Sequence, residues 1–373
     1  MKISWKKSLR FVFLLSLSSV AYADFTYPVL VLDQPNTSTL PIKYRSANTP
    51  LPQGSKVVTD GLYTLPMMGS AQFSEKQLAT LIEKTHLPSL IIFDLRQEDH
   101  GFLNGDAISW YGINNQANKG KTTQQIEQSQ FQHLSILQNS KTITLQQITQ
   151  KSDDGRILAA TPLIIPFQTV FAEADLARTY NFGYTRIYVT DKESPASEQV
   201  DKFIATIQSL PLGSIAYFHC RAGEGRTTTF MAMLDMMHNA RKINFDDIIN
   251  RQALIGGINL STLPAANSPD YQSSLDRLNF LKTFYNYAQT NRDNFKTSFT
   301  DWSKYQITLK TSIEAKKAAE QQTAEQQQDN NVSSASNPMP TSTPAVKEIP
   351  NEMPLPNTSV TMSALESEDN NFA

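Results

Sequence analysis

The sequence predicts an α/β fold, a sheet whose strands are joined by crossover helices. Three observations carry that prediction. Short apolar runs rich in β-branched and aromatic residues alternate with stretches whose apolar residues fall at helical spacing. A glycine-rich turn, CRAGEGR at Cys220–Arg226, stands between one such run and one such helix. Residues 24–317, the part left between two atypical ends, are enough for one large domain or a domain with an appendage.

The N-terminal end is read first. Lys2, Lys6, Lys7 and Arg10 precede an apolar run from Phe11 to Val20, and Ala21-Tyr22-Ala23 supplies small residues for cleavage before Asp24. A membrane span needs roughly 20 apolar residues, and this run is about half that and holds Ser16, Ser18 and Ser19. Residues 1–23 are therefore expected to be a cleaved signal peptide, leaving a periplasmic or secreted protein with no membrane span. Such compartments are oxidising. The chain has 1 cysteine, which cannot form an internal disulfide and so flags a reactive role.

In the body, SLIIFDL (Ser89–Leu95), TRIYVTD (Thr185–Asp191) and GSIAYFHC (Gly213–Cys220) read as buried strands. Between the last two, Val200, Phe203, Ile204, Ile207 and Leu210 mark a helix with Ser197 as its expected cap. After the turn, Thr227–Arg241 reads as another helix, with Phe230, Met231, Leu234 and Met237 on one side. The C-terminal end differs in kind. From Ala318 onward prolines, amides and hydroxyls dominate, eight acids face Lys347 alone, and Phe372 is the single aromatic. Residues 313–373 are accordingly expected to be a disordered, low-complexity tail.

Charge narrows the partners. The chain carries −2; with the +4 N-terminal segment and the −7 tail set aside, residues 24–317 stand at +1. That balance argues against nucleic acid, which needs a broad basic footprint. An anionic ligand would have to be held by a local cluster. The 5 histidines and 1 cysteine show no ligand spacing, so no metal or other cofactor is expected.

The turn is such a cluster. Gly223 and Gly225 allow successive amides to face one point, and the helix starting near Arg226 adds its positive end there. Arg226 can close the ring and grip two phosphoryl oxygens. These donors favour a thiolate at Cys220, a nucleophile for in-line attack on phosphorus. Against this stands a plainer reading of Cys220 as a small buried hydrophobe at a strand end. Such chemistry also needs an acid for the leaving oxygen. Asp191, at a strand end and followed by Pro195, fits that role; otherwise it is a solvated or capping aspartate.

His219-Cys220, then Arg226-Thr227 after five residues, resembles the signature of the protein tyrosine phosphatase superfamily. FDLRQEDHGFLNGDAISWY (Phe93–Tyr111), NQANKGKT (Asn115–Thr122), DIINRQALIGGINL (Asp247–Leu260) and FLKTFYNYAQTNRDNF (Phe280–Phe295) are similar to the bacterial cysteine phytases within it. The resemblance runs from about Pro41 to Trp302. It implies a tyrosine-phosphatase-like core, a central mixed sheet flanked by helices, with a small β-rich appended domain, together spanning residues 24–312. It implies hydrolysis of phosphate monoesters of inositol polyphosphates, phytate above all, through a cysteinyl-phosphate. The alternatives are a secreted tyrosine or dual-specificity phosphatase acting on phosphoproteins, and an inactive binder of phosphorylated ligands.

Carried over by position, Cys220 is the nucleophile, Arg226 binds the phosphoryl group and Asp191 is acid and then base. His219 supports the loop and thiolate, and Thr227 or Thr228 bonds the sulfur. Arg221, Ala222, Gly223, Glu224, Gly225 and Lys192 surround substrate, and Arg45 stands where a phosphate-contacting arginine is expected. Gln252 is a candidate to position water. Arg96, Glu98 and His100 read either as a structural network beside the pocket or as ligands, and Lys119 and Arg251 as structural or surface charges. Three departures stand out. Lys192 replaces the histidine usual after the acid. Glu224 replaces an apolar residue and is expected to turn away or pair with a base such as Arg221. Finally, QKSDDGRI (Gln150–Ile157) is a poor substitute for a lysine-histidine-lysine cluster.

Overall fold

The computed structural model describes residues 25–86 and 89–334. The predicted signal segment and the tail after residue 334 lie outside the described residues. In chain order the first half contains β1 (Val29–Gln34), β2 (Arg45–Ser46), β3 (Met67–Ala71), α1 (Glu75–Thr85), β4 (Leu90–Arg96), β5 (His100–Leu103), β6 (Asp106–Tyr111) and α2 (Thr123–Gln138). Then come β7 (Thr142–Lys151), β8 (Ile157–Pro166), β9 (Val170–Phe171), α3 (Glu173–Thr179), β10 (Gly183–Val189) and α4 (Ser197–Gln208). The last elements are β11 (Ile215–Cys220), α5 (Gly225–Asn239), α6 (Phe245–Leu254), α7 (Tyr271–Thr290) and α8 (Phe299–Ser334).

The core sheet has the order β10-β4-β11-β3-β2. β10, β4, β11 and β3 pair in parallel, and only β2 runs antiparallel. The three strands read from sequence are neighbours in it, with β10 at the edge, and each begins within two residues of its expected start. Because the four long strands point the same way, their carboxyl ends collect on one edge, where ligands bind in open α/β sheets. Gln72, Glu98, Asp191 and Cys220 all lie at or just beyond those ends.

Alternation along β11 decides what faces what. Ala216, Phe218 and Cys220 join the main core, with Phe203 of α4, Phe230 and Leu234 of α5, and Phe284 of α7. Tyr217 joins the opposite cluster with Phe73, Ile92 and Phe102, and the His219 ring lies edge-on to Phe73 there. α5 is buried from Arg226 to Met236, so it is covered all round rather than on one side, its polar residues Arg226, Thr227, Thr228, Thr229 and Asp235 included.

The β-rich appendage is a six-stranded sheet of order β8-β7-β1-β6-β5-β9. It is not one contiguous segment: β1 precedes the core, and β5 to β9 are inserted between core strands β4 and β10. Two further expectations are corrected. α4 begins at Ser197 itself, with Ala196 as N-cap and no side-chain cap. The tail expected to be disordered from residue 313 is helical as far as Ser334, the end of α8. The composition explains this, since Ala, Gln, Glu and Lys are strong helix formers and Lys310–Glu314 and Lys316–Glu320 pair one turn apart. The described residues up to Thr308 form one compact unit, and those from Leu309 to Ser334 another. Among the described residues, no helix is long and apolar enough to cross a membrane.

Candidate active site

β11 delivers Cys220 to the sheet edge, four residues turn, and α5 starts at Gly225. The turn is possible because Gly223 adopts φ +71, and a Cβ there would lie 2.3 Å from the Ala71 backbone nitrogen. The sulfur of Cys220 accepts a hydrogen bond from Thr227 Oγ1 at 3.2 Å, and the same hydroxyl reaches Ser70 O at 3.3 Å. Thr228 is engaged elsewhere, accepting from Arg45 at 3.0 Å, so the sulfur belongs to Thr227. Cys220 opens onto a cavity of about 320 Å³ whose wall also carries Asp191, Lys192, Arg221, Ala222 and Arg277.

Arg226 is buried and held in a fork. Its Nη1 and Nη2 donate to Glu98 Oε2 and Oε1 at 2.8 and 3.0 Å, and Nη1 also reaches Val189 O at 3.1 Å. Burial opposes its charge, but Asp191, Glu98 and Cys220 together raise its pKa well above the usual range. Among the described residues its buried Nε has no hydrogen-bond partner, which leaves one donor for an anion. Arg277 on α7 also lines the cavity and also has a buried, unpartnered Nε.

Asp191 follows β10. Its Oδ1 lies 3.3 Å from Arg226 Nη2 and accepts from Lys192 N at 3.0 Å, while Oδ2 accepts from Asn115 at 3.0 Å. The Lys192 ammonium binds Asn114 Oδ1 at 3.0 Å and Asp270 at 2.7 Å, at the border with a second cavity of about 410 Å³.

The structural-network reading of RQEDHG holds in the geometry. Arg96 binds Glu98 at 2.8 Å and Asp33 at 2.9 Å, all buried. Burial would raise the Glu98 pKa, yet Arg226 and Arg96 hold it far below the carboxylate range. His100 Nε2 lies 3.2 Å from Asp94, which carries its pKa up to about 9 against the opposing effect of burial. His219 sits on this side of the sheet: Nε2 meets Glu173 Oε1 at 2.6 Å, on the face opposite Cys220. It therefore braces the strand and not the sulfur directly. Burial works against the Glu173 charge, but His219 and His100 bring its pKa down to about 2.

Arg45 and Gln252 lie off the cavity wall, while Arg221, Glu224 and Gly225 lie on it. Arg45 is 1% exposed and clamps the back of the loop, donating to Gly223 O at 2.9 Å, so it is not on the cavity wall. Gln252 is buried against Asp235 at 2.8 Å. Gln252 is not on the cavity wall. Arg251 grips the same Asp235 through Nε at 2.7 Å. Glu224 pairs with Lys43 and not with Arg221. Arg221 is taken by Asp33 at 2.6 Å and lies over the Tyr111 ring at 5.0 Å. Lys119 pairs with Glu193. Gly225 lines the cavity at the start of α5, close to Arg277.

Sequence reasoning also passed over parts of the wall. The turn between β7 and β8 brings Lys151, Ser152, Asp153 and Gly155 to the cavity, so QKSDDGRI does contribute. Tyr111 is its hinge point: its hydroxyl donates to Gly155 O at 2.8 Å, and its ring faces Lys151 at 5.6 Å. Arg277, Asp33 and the role of Asn115 carried no local signal, since each gains meaning only from a partner distant in sequence.

Parallel core strands, a loop of this shape between strand and helix, and an aspartate after the outermost parallel strand define the tyrosine-phosphatase architecture. The profile of the PTP-like phytase family, described as inositol hexakisphosphate, matches residues 93–238. The tandemly repeated protein-tyrosine-phosphatase-like phytase of Mitsuokella multacida superposes with TM-score 0.68 at 30% identity, covering 75% of this chain and 49% of that one. A PTP-like phytase of Bdellovibrio bacteriovorus gives TM-score 0.59 at 30% identity, covering 74% of this chain and 95% of that one. Effector protein hopD2 of Pseudomonas syringae pv. tomato is 27% identical over 264 residues, 69% of this chain and 56% of that protein. The chain thus spans about half the length of the Mitsuokella and Pseudomonas proteins. It belongs to the protein-tyrosine-phosphatase-like phytase family.

Proposed function

We propose that the chain is a cysteine-dependent phosphatase that removes phosphate from inositol polyphosphates, and that it acts outside the cytoplasm. One observation carries the reading: Cys220 at the floor of a cavity beside a buried Arg226 that keeps an unpartnered donor, with Asp191 in contact with that same arginine. In the first step the Cys220 thiolate attacks phosphorus and the ester P–O bond breaks. The departing oxygen takes a proton from Asp191, and Arg226 with the loop amides carries the charge on the phosphoryl oxygens. In the second step water attacks the cysteinyl-phosphate and Asp191 accepts its proton. The S–P bond then breaks, inorganic phosphate forms, and the thiolate returns with Thr227 as its donor.

The substrate class is supported by a relative. The Mitsuokella multacida structure in complex with myo-inositol-(1,3,4,5)-tetrakisphosphate is 30% identical to this chain and superposes with TM-score 0.68. The wall carries Lys151, Lys192, Arg221 and Arg277 together with Asp153, Asp191, Glu224 and Asp270, and among the described residues Arg277 Nε has no hydrogen-bond partner, a donor suited to a further phosphate. Residues 1–23 support export, and a mature protein starting at Asp24 in the periplasm or medium is the expected outcome of N-terminal sequencing.

Phosphate release from phytate and from a phosphotyrosine peptide tests the function. Turnover on phytate, abolished in Cys220→Ser while ligand still binds, is expected. Turnover on the peptide alone would replace the substrate with a phosphoprotein, and an active Cys220→Ser would remove the mechanism.

A further inference from the structure

Asn115 occupies a position with two demands. It follows β6 in a tight turn with φ +61, a conformation that asparagine tolerates far better than most residues. Its side chain, 4% exposed as a residue, lies between two carboxylates: Nδ2 donates to Glu98 Oε1 at 2.7 Å and to Asp191 Oδ2 at 3.0 Å. An amide nitrogen has two hydrogens, one for each acceptor. The two acceptors fix the amide orientation and leave Oδ1 buried without a partner. No carboxylate, hydroxyl or alkyl side chain meets both demands there without adding repulsion or leaving an acceptor bare.

The two carboxylates belong to different parts of the site. Glu98 forks the Arg226 guanidinium, and Asp191 is the group that trades a proton with the leaving oxygen. Apart from the contact of Asp191 Oδ1 with Arg226 Nη2 at 3.3 Å, their geometries are set by separate strands, β4 and β10. We infer that Asn115 is a positioning residue that locks the acid Asp191 to the Glu98–Arg226 fork, so that proton donor and phosphoryl grip hold a fixed distance. This rests on the proposed phosphatase reading, with Asp191 as acid. It needs no contact between Asn115 and substrate.

The test uses the full chain and aryl phosphates of graded leaving-group basicity. Transfer to Cys220 from p-nitrophenyl phosphate needs little help from an acid, whereas phenyl phosphate needs it, and kcat/KM reports that step alone. Asn115→Gly keeps the positive φ and removes the donor. The ratio of kcat/KM for p-nitrophenyl to phenyl phosphate is expected to rise about tenfold in this variant, the cost of an ill-placed acid. Asn115→Asp keeps the shape and replaces the donor by a charge. Its deficit on phenyl phosphate should shrink as pH falls and the new carboxyl regains a proton to donate. Both substrates slowing equally in Asn115→Gly, with a pH-independent deficit in Asn115→Asp, would overturn the inference while leaving the phosphatase reading intact. A parent chain inactive on phytate and on every aryl phosphate, or an active Cys220→Ser, would overturn the reading and this inference with it.

Discussion

His219 and Cys220 are adjacent in the chain, face opposite sides of one strand, and are surrounded by ionic groups arranged on opposite rules. On the His219 side the charges close on one another. Glu173 meets His219 and His100, and Asp94 meets His100 and Arg186, all in the buried interior. On the Cys220 side the cations are held from behind and left open in front. Glu98 grips the Nη atoms of Arg226, and Arg226 Nε and Arg277 Nε remain without partners. Among the described residues His219 Nδ1 and His100 Nε2 also lack hydrogen bonds, but on the Cys220 side the unpartnered donors belong to arginines, and that difference separates scaffold from site. The paired side sets the position of the strand, and the open side waits for an anion.

Substitutions can sharpen that contrast. The largest effect belongs to the open side: Asp191→Asn should lower kcat on inositol phosphates by about 10²–10⁴-fold. Glu98→Gln sits on the border, since it strips a counter-charge from buried Arg226 and Arg96. A loss of about 3–5 kcal/mol in denaturant unfolding is expected, and a variant as stable as the parent would break the distinction. Next is pH.

The folded Glu173 pKa lies near 2, below its ordinary 4.5, so its contribution is present above pH 4.5 and is lost as pH falls toward 2. The folded His100 pKa lies near 9, above its ordinary 6.5, so its contribution is full below pH 6.5 and is lost as pH rises through 9. Thermal midpoints should therefore be highest between those ordinary values and decline toward pH 9, and His100→Gln should flatten the alkaline decline. The smallest effect is Lys43→Ala at the exposed Glu224 pair, below about 1 kcal/mol in the same unfolding measurement.

Much of the core was readable because its signals are local. Ser89–Leu95 and Gly213–Cys220 are largely apolar runs, as strands buried on both faces must be, and Thr185–Asp191 is a β-branched and aromatic run at the sheet edge. Their alternation with helices leaves few topologies. The loop was readable because nucleophile, glycines and arginine fall within seven residues of each other. The appended sheet was legible only as a β-rich expectation, because its strands come from both sides of β4 and find their register across the chain. Arg45 and Gln252 were misplaced for a related reason. A buried arginine that clamps a loop and one that binds substrate have the same local sequence.

From sequence alone came the α/β class, the strand–loop–helix unit carrying Cys220, Thr227 and Arg226, and the aspartate after the preceding strand. Each is written in residues close together, where spacing fixes geometry. Only the tertiary structure decided that Glu98 forks Arg226, that Asn115 ties it to Asp191, and that Tyr111, Lys151 and Arg277 complete the wall. Those contacts join residues tens to more than a hundred positions apart, and a hydrogen bond or ion pair depends on separation in space, which no local pattern encodes.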